Sequence, residues 1–243
     1  MKVLCIIQAR MGSERLPGKV MKKILGKPMI SYTLERLKKA RYIDELVLAT
    51  STSESEQALV DYLEANGYPY FRGSEKNVLE RYVDTANYYG GDIIIRVTGD
   101  CPLIDPVIVD EVITYFLNNC YDYVRLDVPD TFVRGFDVEI FSKEAMERTY
   151  RLTKDFEENS PYKEHVTLYM YKHPEEFSVG YVKGTEIFQK NYRLCVDTPE
   201  DFKLVKTIFE SLPEQKLNAK NIIRFLDNNP ELAQINKDIN QRI

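Results

Sequence analysis

The chain has 243 residues, 44% hydrophobic and 29% charged, a globular composition that excludes collagen, coiled coil and extended disorder and leaves room for one large domain or two small ones. The first apolar run, residues 3–7, stops at Gln8 and Arg10; it is shorter than a signal-peptide core or the roughly 20 residues that span a bilayer, so a cytoplasmic protein without a membrane partner is expected. Net charge is −5, from 33 basic and 38 acidic residues, which argues against nucleic acid as a partner, because that takes a broad basic surface.

In chain order, residues 2–8 read as a continuous apolar strand, followed by a stretch of Gly, Pro and charge that cannot be regular. Ile30, Leu34 and Leu37 recur at helical spacing, and residues 45–49 read as a second strand. Ala58, Leu59, Tyr62 and Leu63 mark a helix that Asn66-Gly67 stops, and a short strand follows near Tyr70. The next helix opens at Asn77, carries Val78, Leu79, Tyr82, Val83 and Ala86 on one face, and breaks at Gly90-Gly91. Residues 92–97 form the strand with the most buried character, with Gly99-Asp100 just beyond it. Asp105-Pro106 pairs an N-cap with proline at the first helical position, and Ile108, Val109, Val112, Ile113 and Phe116 supply the apolar stripe. Residues 121–126 close this half as a strand.

From residue 128 to about 183 the pattern becomes a strand at 138–141, two helical stretches and an alternating strand at 177–183. The chain returns with a strand at 192–196, a helix opened by Thr198-Pro199 and another around 222–226. Strands alternating with amphipathic helices predict an α/β protein with a Rossmann-like, three-layer, mainly parallel sheet. A single domain over 1–243 is expected, with 128–183 as a small inserted α+β subdomain. Ligands of such sheets gather outside the carboxyl ends of the strands. The loop after the first strand and Asp100 therefore open on the same edge.

That loop is the one cationic stretch of an acidic chain. Between residues 10 and 27, six cations (Arg10, Arg15, Lys19, Lys22, Lys23 and Lys27) oppose one anion, Glu14, an excess of +5 that suits a small polyanion. Within residues 9–19, Gly12 lets a ligand approach the backbone, free N–H groups can form an anion nest, and Arg15 and Lys19 can neutralise phosphates. It is not a Walker A loop: five residues separate Gly12 from Gly18, and Val20 follows Lys19. Nor does it match G-x-G-x-x-G, and a solvated basic loop is the plain alternative. Asp100 follows one strand; Asp197 follows another and has no capping task, since Thr198 is the better N-cap. Two such carboxylates beside a phosphate loop suit Mg²⁺.

Other candidates have ordinary explanations beside the chemical ones. His165 could be a general base or a partly buried structural residue, and His173 reads as a helix terminus. Arg134, Asp137 and Glu139 could grip acceptor hydroxyls or could be solvated charges on an edge strand. Cys5, Cys101, Cys120 and Cys195 form no C-x-x-C pair, so structural zinc is not expected, and Cys5 and Cys195 read as small buried hydrophobes.

Five segments carry a resemblance in order and spacing: Q-A-R-M-G-S-E-R-L-P-G-K, R-V-T-G-D-C-P-L-I-D-P, F-D-V-E-x-F-S, E-H-V-T and V-D-T-P-E-D. Together they resemble the cytidylyltransferase family that includes the acylneuraminate and 3-deoxy-manno-octulosonate enzymes, with the spore coat polysaccharide biosynthesis branch nearest, over roughly residues 1–210. The resemblance implies a glycosyltransferase-A-like fold and a homodimer joined largely through the inserted segment. It also implies an enzyme that uses CTP and Mg²⁺, joins CMP to a sugar or sugar-acid acceptor and releases pyrophosphate. By the same carry-over Ala9, Arg10, Gly12, Ser13, Arg15 and Lys19 fall on the nucleotide loop, Asp100 and Asp197 on the metal carboxylates, and Arg15, Lys19 and Asp100 take the catalytic roles. Gln8 replaces the proline of the sialic-acid branch, and Glu14 is expected to point outward. A nucleotide-sugar-dependent glycosyltransferase and a non-catalytic nucleotide-binding partner in polysaccharide assembly stay open as alternatives.

Overall fold

A computed structural model describes residues 1–241. β1 (Val3–Gln8) is apolar throughout because it is covered on both faces, with Val3, Cys5 and Ile7 in one layer and Leu4 and Ile6 in the other. Beyond the loop, β2 (Lys23–Ile24) and β3 (Lys27–Pro28) form a small ribbon, and α1 (Met29–Leu37) leads to β4 (Glu45–Ser51). α2 (Gln57–Ala65), β5 (Tyr70–Gly73), α3 (Val78–Tyr89) and β6 (Ile93–Thr98) follow. The side chain of Asn77 caps α3, and Gly90 ends it at φ 73°. Asp105 caps α4 (Pro106–Leu117), which leads to β7 (Tyr123–Leu126).

Residues 128–183 supply β8 (Glu139–Ser142), α5 (Lys143–Thr153), α6 (Pro161–Glu164), α7 (Leu168–Lys172) and β9 (Val179–Val182). Both strands hydrogen-bond into the main sheet, whose order is β5-β4-β1-β6-β8-β7-β9. β8 runs antiparallel to β6 and β7; the other pairings are parallel. The segment also shares the two cores, with Phe132, Phe136 and Val138 in one and Val166, Met170 and Phe177 in the other. Since β8 lies between β6 and β7, Glu139 is not an edge-strand charge, which corrects the solvated alternative.

The chain closes with α8 (Pro199–Ser211), α9 (Ala219–Asn228) and α10 (Pro230–Ala233). Thr198, the expected N-cap of α8, forms a capping box with Asp201. The expected strand at 192–196 does not form: among the described residues this stretch makes an isolated bridge between Arg193 and Arg134. Its amides divide between two loops, Leu194 N donating to Arg134 O and Val196 N to Asp100 O. No helix among the described residues is long and apolar enough to cross a membrane.

From β1 the chain steps outward to β4 and β5, then crosses back to place β6 on the other side of β1. A crevice therefore opens at the carboxyl ends of β1 and β6, where the order reverses. Residues 9–19 and Asp100 both emerge there.

Candidate active site

The loop after β1 is held from beneath. Ala9 is buried and its amide donates to Ala49 O, while Met11 N donates to the carboxylate of Glu56 at 2.9 and 3.2 Å. Glu56 is itself buried and also accepts from Thr50 Oγ1 at 2.9 Å. Sequence reasoning missed Glu56, although an acidic residue in register with the buried Leu59, Val60 and Leu63 was a signal that something polar waits inside. Gly18 takes φ 65°, a left-handed conformation that favours glycine, and starts the short turn that carries Lys19. Gly12 is exposed, and a Cβ there would meet nothing within 4 Å, so a ligand can approach its backbone closely. Part of the anticipated anion nest is spent internally: Ser13 N and Gly18 N both donate to Met11 O. Glu14 lies exposed, as expected.

Lys19 does not face the open side of the loop. Its ammonium donates to Val196 O at 2.7 Å, Asp197 Oδ1 at 2.9 Å and Asp100 Oδ2 at 3.0 Å. The two aspartates, 97 positions apart in sequence, thus meet on one cationic centre. Arg15 reaches the other oxygen of Asp197 at 3.1 Å, and Arg193 pairs with that same oxygen. Arg193 also bonds Asp201 at 3.1 Å, and Asp201 is fully buried. Three cations therefore face three carboxylates. Arg10 stands apart, with an exposed side chain 3.5 Å from Glu164 on α6.

This charge balance fixes the protonation states. Burial alone pushes the Lys19 ammonium down, but the fields of Asp100 and Asp197 and its bonds to both more than offset that and hold it above its ordinary value. Burial pushes Asp100 up, and Lys19, with hydrogen bonds from Thr98, Lys19 and Cys101, brings it below the usual carboxylate value. Burial, helped by Asp100, drives the Cys101 and Cys195 thiols well up, so both stay protonated and inert beside the acidic pair.

Glu139, read from sequence as a possible acceptor grip, is occupied. It accepts from Arg96 and Tyr123 on the neighbouring strands and from Thr167 Oγ1, just before α7, at 2.8 Å. Asp137 accepts from Gly135 N at 2.6 Å and lies 3.7 Å from Arg134. Burial raises the Asp137 carboxyl, against the pull of Arg134. His165 falls between α6 and α7 rather than on a helix, and His173 ends α7 as expected.

Strand order, with the crevice at its reversal, makes this a Rossmann-like α/β nucleotide-binding fold. The cytidylyltransferase family profile matches residues 4–234, and the chain belongs to that family of CTP-dependent enzymes. An uncharacterised protein of Methanocaldococcus jannaschii is 36% identical over 243 residues, covering 100% of this chain and 97% of its own. The spore coat polysaccharide biosynthesis protein SpsF of Bacillus subtilis is 34% identical, over 95% of this chain and 96% of its own. Among solved structures, a cytidylyltransferase from Leptospira borgpetersenii superposes with a TM-score of 0.89 at 33% identity, covering 100% of this chain and 99% of that one.

Proposed function

We propose that the protein transfers CMP from CTP to a sugar, sugar acid or related small acceptor bearing a hydroxyl or phosphate. The acceptor oxygen attacks the α-phosphorus, the bond from that phosphorus to its bridging oxygen breaks, and pyrophosphate leaves with the electron pair, a hydroxyl acceptor giving its proton to water or to the departing pyrophosphate. The observation that carries this reading is the convergence of Asp100 and Asp197 within 3.0 Å of one ammonium, beside a cationic loop. Surface polysaccharide biosynthesis in the cytoplasm is the setting proposed, supported by the likeness to SpsF.

The donor set fits Mg²⁺, a hard cation that takes one or two carboxylates and completes its shell with phosphate oxygens and water. Asp100 and Asp197 would hold it, and when bound it would offset charge on the polyphosphate. The chain's own residues do the rest by positioning and charge. Arg15 and Lys19 neutralise the departing pyrophosphate, Gly12 leaves room for the phosphates against the backbone, and Glu56 keeps the loop in place through Met11 N. Arg10, exposed at the rim, is available to the nucleotide. A homodimer is part of the same proposal; Leu152, Phe156 and Tyr181, in the segment expected to join the protomers, are each at least 40% exposed.

Pyrophosphate release from CTP and Mg²⁺ over a panel of acceptors tests the reaction, with loss of turnover expected in Asp100→Asn and Asp197→Asn. In thermal denaturation, CTP with Mg²⁺ at 100 times its Kd should add about 2.7 kcal/mol. Stabilisation by a nucleotide-sugar but not by CTP would hand the site to glycosyl transfer instead. Binding of CTP without turnover on any acceptor would favour a non-catalytic partner.

A further inference from the structure

We infer that Lys19 is a built-in stand-in for the divalent cation: its ammonium holds Asp100 and Asp197 together by occupying the oxygens that the ion would use, so the ion enters with the nucleotide rather than ahead of it. The inference rests on the reading of these aspartates as metal carboxylates. An ammonium has three protons to donate, and all three are directed, to Asp100 Oδ2, Asp197 Oδ1 and Val196 O. The Lys19 side chain is only 12% exposed, so these protein oxygens stand in place of water.

The division of oxygens on Asp197 points the same way. Arg15 and Arg193 occupy Oδ2, whereas Lys19 alone takes Oδ1. Guanidinium groups suit a fixed brace on a carboxylate, while lysine carries a compact charge on a flexible stem. Lys19 is therefore the cation that can leave while Arg15 and Arg193 keep Asp197 braced. A bound triphosphate would give the ammonium a second anionic partner, and the two carboxylate oxygens it releases, Asp100 Oδ2 and Asp197 Oδ1, would then be free to hold the ion. Nucleotide and metal are then thermodynamically coupled through one side chain, and each tightens the other.

The test is Mn²⁺ binding without nucleotide, read by the loss of the free-ion EPR signal, in wild type, Lys19→Met, Lys19→Gln and Lys19→Met/Asp197→Asn. Both neutral single variants should bind one Mn²⁺ at least tenfold more tightly than wild type, and the double variant should lose that gain. Mn²⁺ alone should raise the Tm of the single variants and leave the wild-type Tm in place, which also reports that the variants are folded. Equal Mn²⁺ affinity in wild type and both single variants would overturn the stand-in role. If Asp100→Asn also kept full turnover with CTP, the reading of the acidic pair as metal carboxylates would fall with it.

Discussion

At the scale of single residues, the site depends on where one ammonium points. Lys19 is directed into the acidic pair, so its replacement touches that arrangement and, on the proposed mechanism, the charge available to the leaving group. Lys19→Ala should lower kcat by roughly 100-fold, the order found when a preorganised transition-state donor is removed; steady-state pyrophosphate release measures it, and a near-normal kcat would refute the role. The pair also shapes the pH dependence of stability. Asp100 is held below its ordinary value, so its contribution is present above about pH 4 and is lost as pH falls through the folded value. Lys19 is raised, so its contribution is complete below about pH 10 and is lost only as pH climbs through the folded value. Denaturant titrations should show a weaker acid dependence in Asp100→Asn than in wild type. That these residues belong together was legible, because a cationic loop after one strand and aspartates after two other apolar runs all open on the same sheet edge. The direction of Lys19 was not, since spacing says nothing about which partner a flexible side chain chooses.

At the scale of elements, β8 shows how an apparent surface feature becomes internal. Arg125 and Glu139 face each other across β7 and β8, Arg96 and Glu139 across β6 and β8, and Glu139 is the acceptor that Arg96, Tyr123 and Thr167 share. Glu139→Ala would leave Arg96 buried without its carboxylate and should cost about 3–5 kcal/mol, measured by denaturation. At α8, Thr198→Ala removes the oxygen that accepts from Asp201 N and should cost about 1 kcal/mol, with Thr198→Ser recovering most of it. The strands β1, β4 and β6 were readable from apolar runs because both their faces are covered. The apolar run at 192–196 looked the same and misled: Leu194 and Val196 are buried in the core, yet their amides go to loops rather than to strand neighbours. Periodicity reports burial, and burial does not require a ladder.

At the scale of the whole molecule, residues 128–183 contribute to both cores and to the middle and edge of one sheet. Hydrogen exchange should therefore show β8 opening together with β1 and β6 rather than as a separate unit, and a fragment of 128–183 should not fold alone. Independent exchange of the two parts would contradict this shared packing. The order of assembly follows from how Asp197 is delivered. Its segment has no sheet position and is fastened to Arg134 and Asp100 by single backbone bonds on a stretch that the ribosome makes late. A nascent chain released before that stretch emerges holds every strand of the sheet and the basic loop, yet it lacks the second aspartate and the core residues Leu194, Val196, Leu204, Val205 and Ile208. On the proposed reading of Asp197, prematurely terminated products would lack half of the acidic pair and would spare the cell's nucleotide pool.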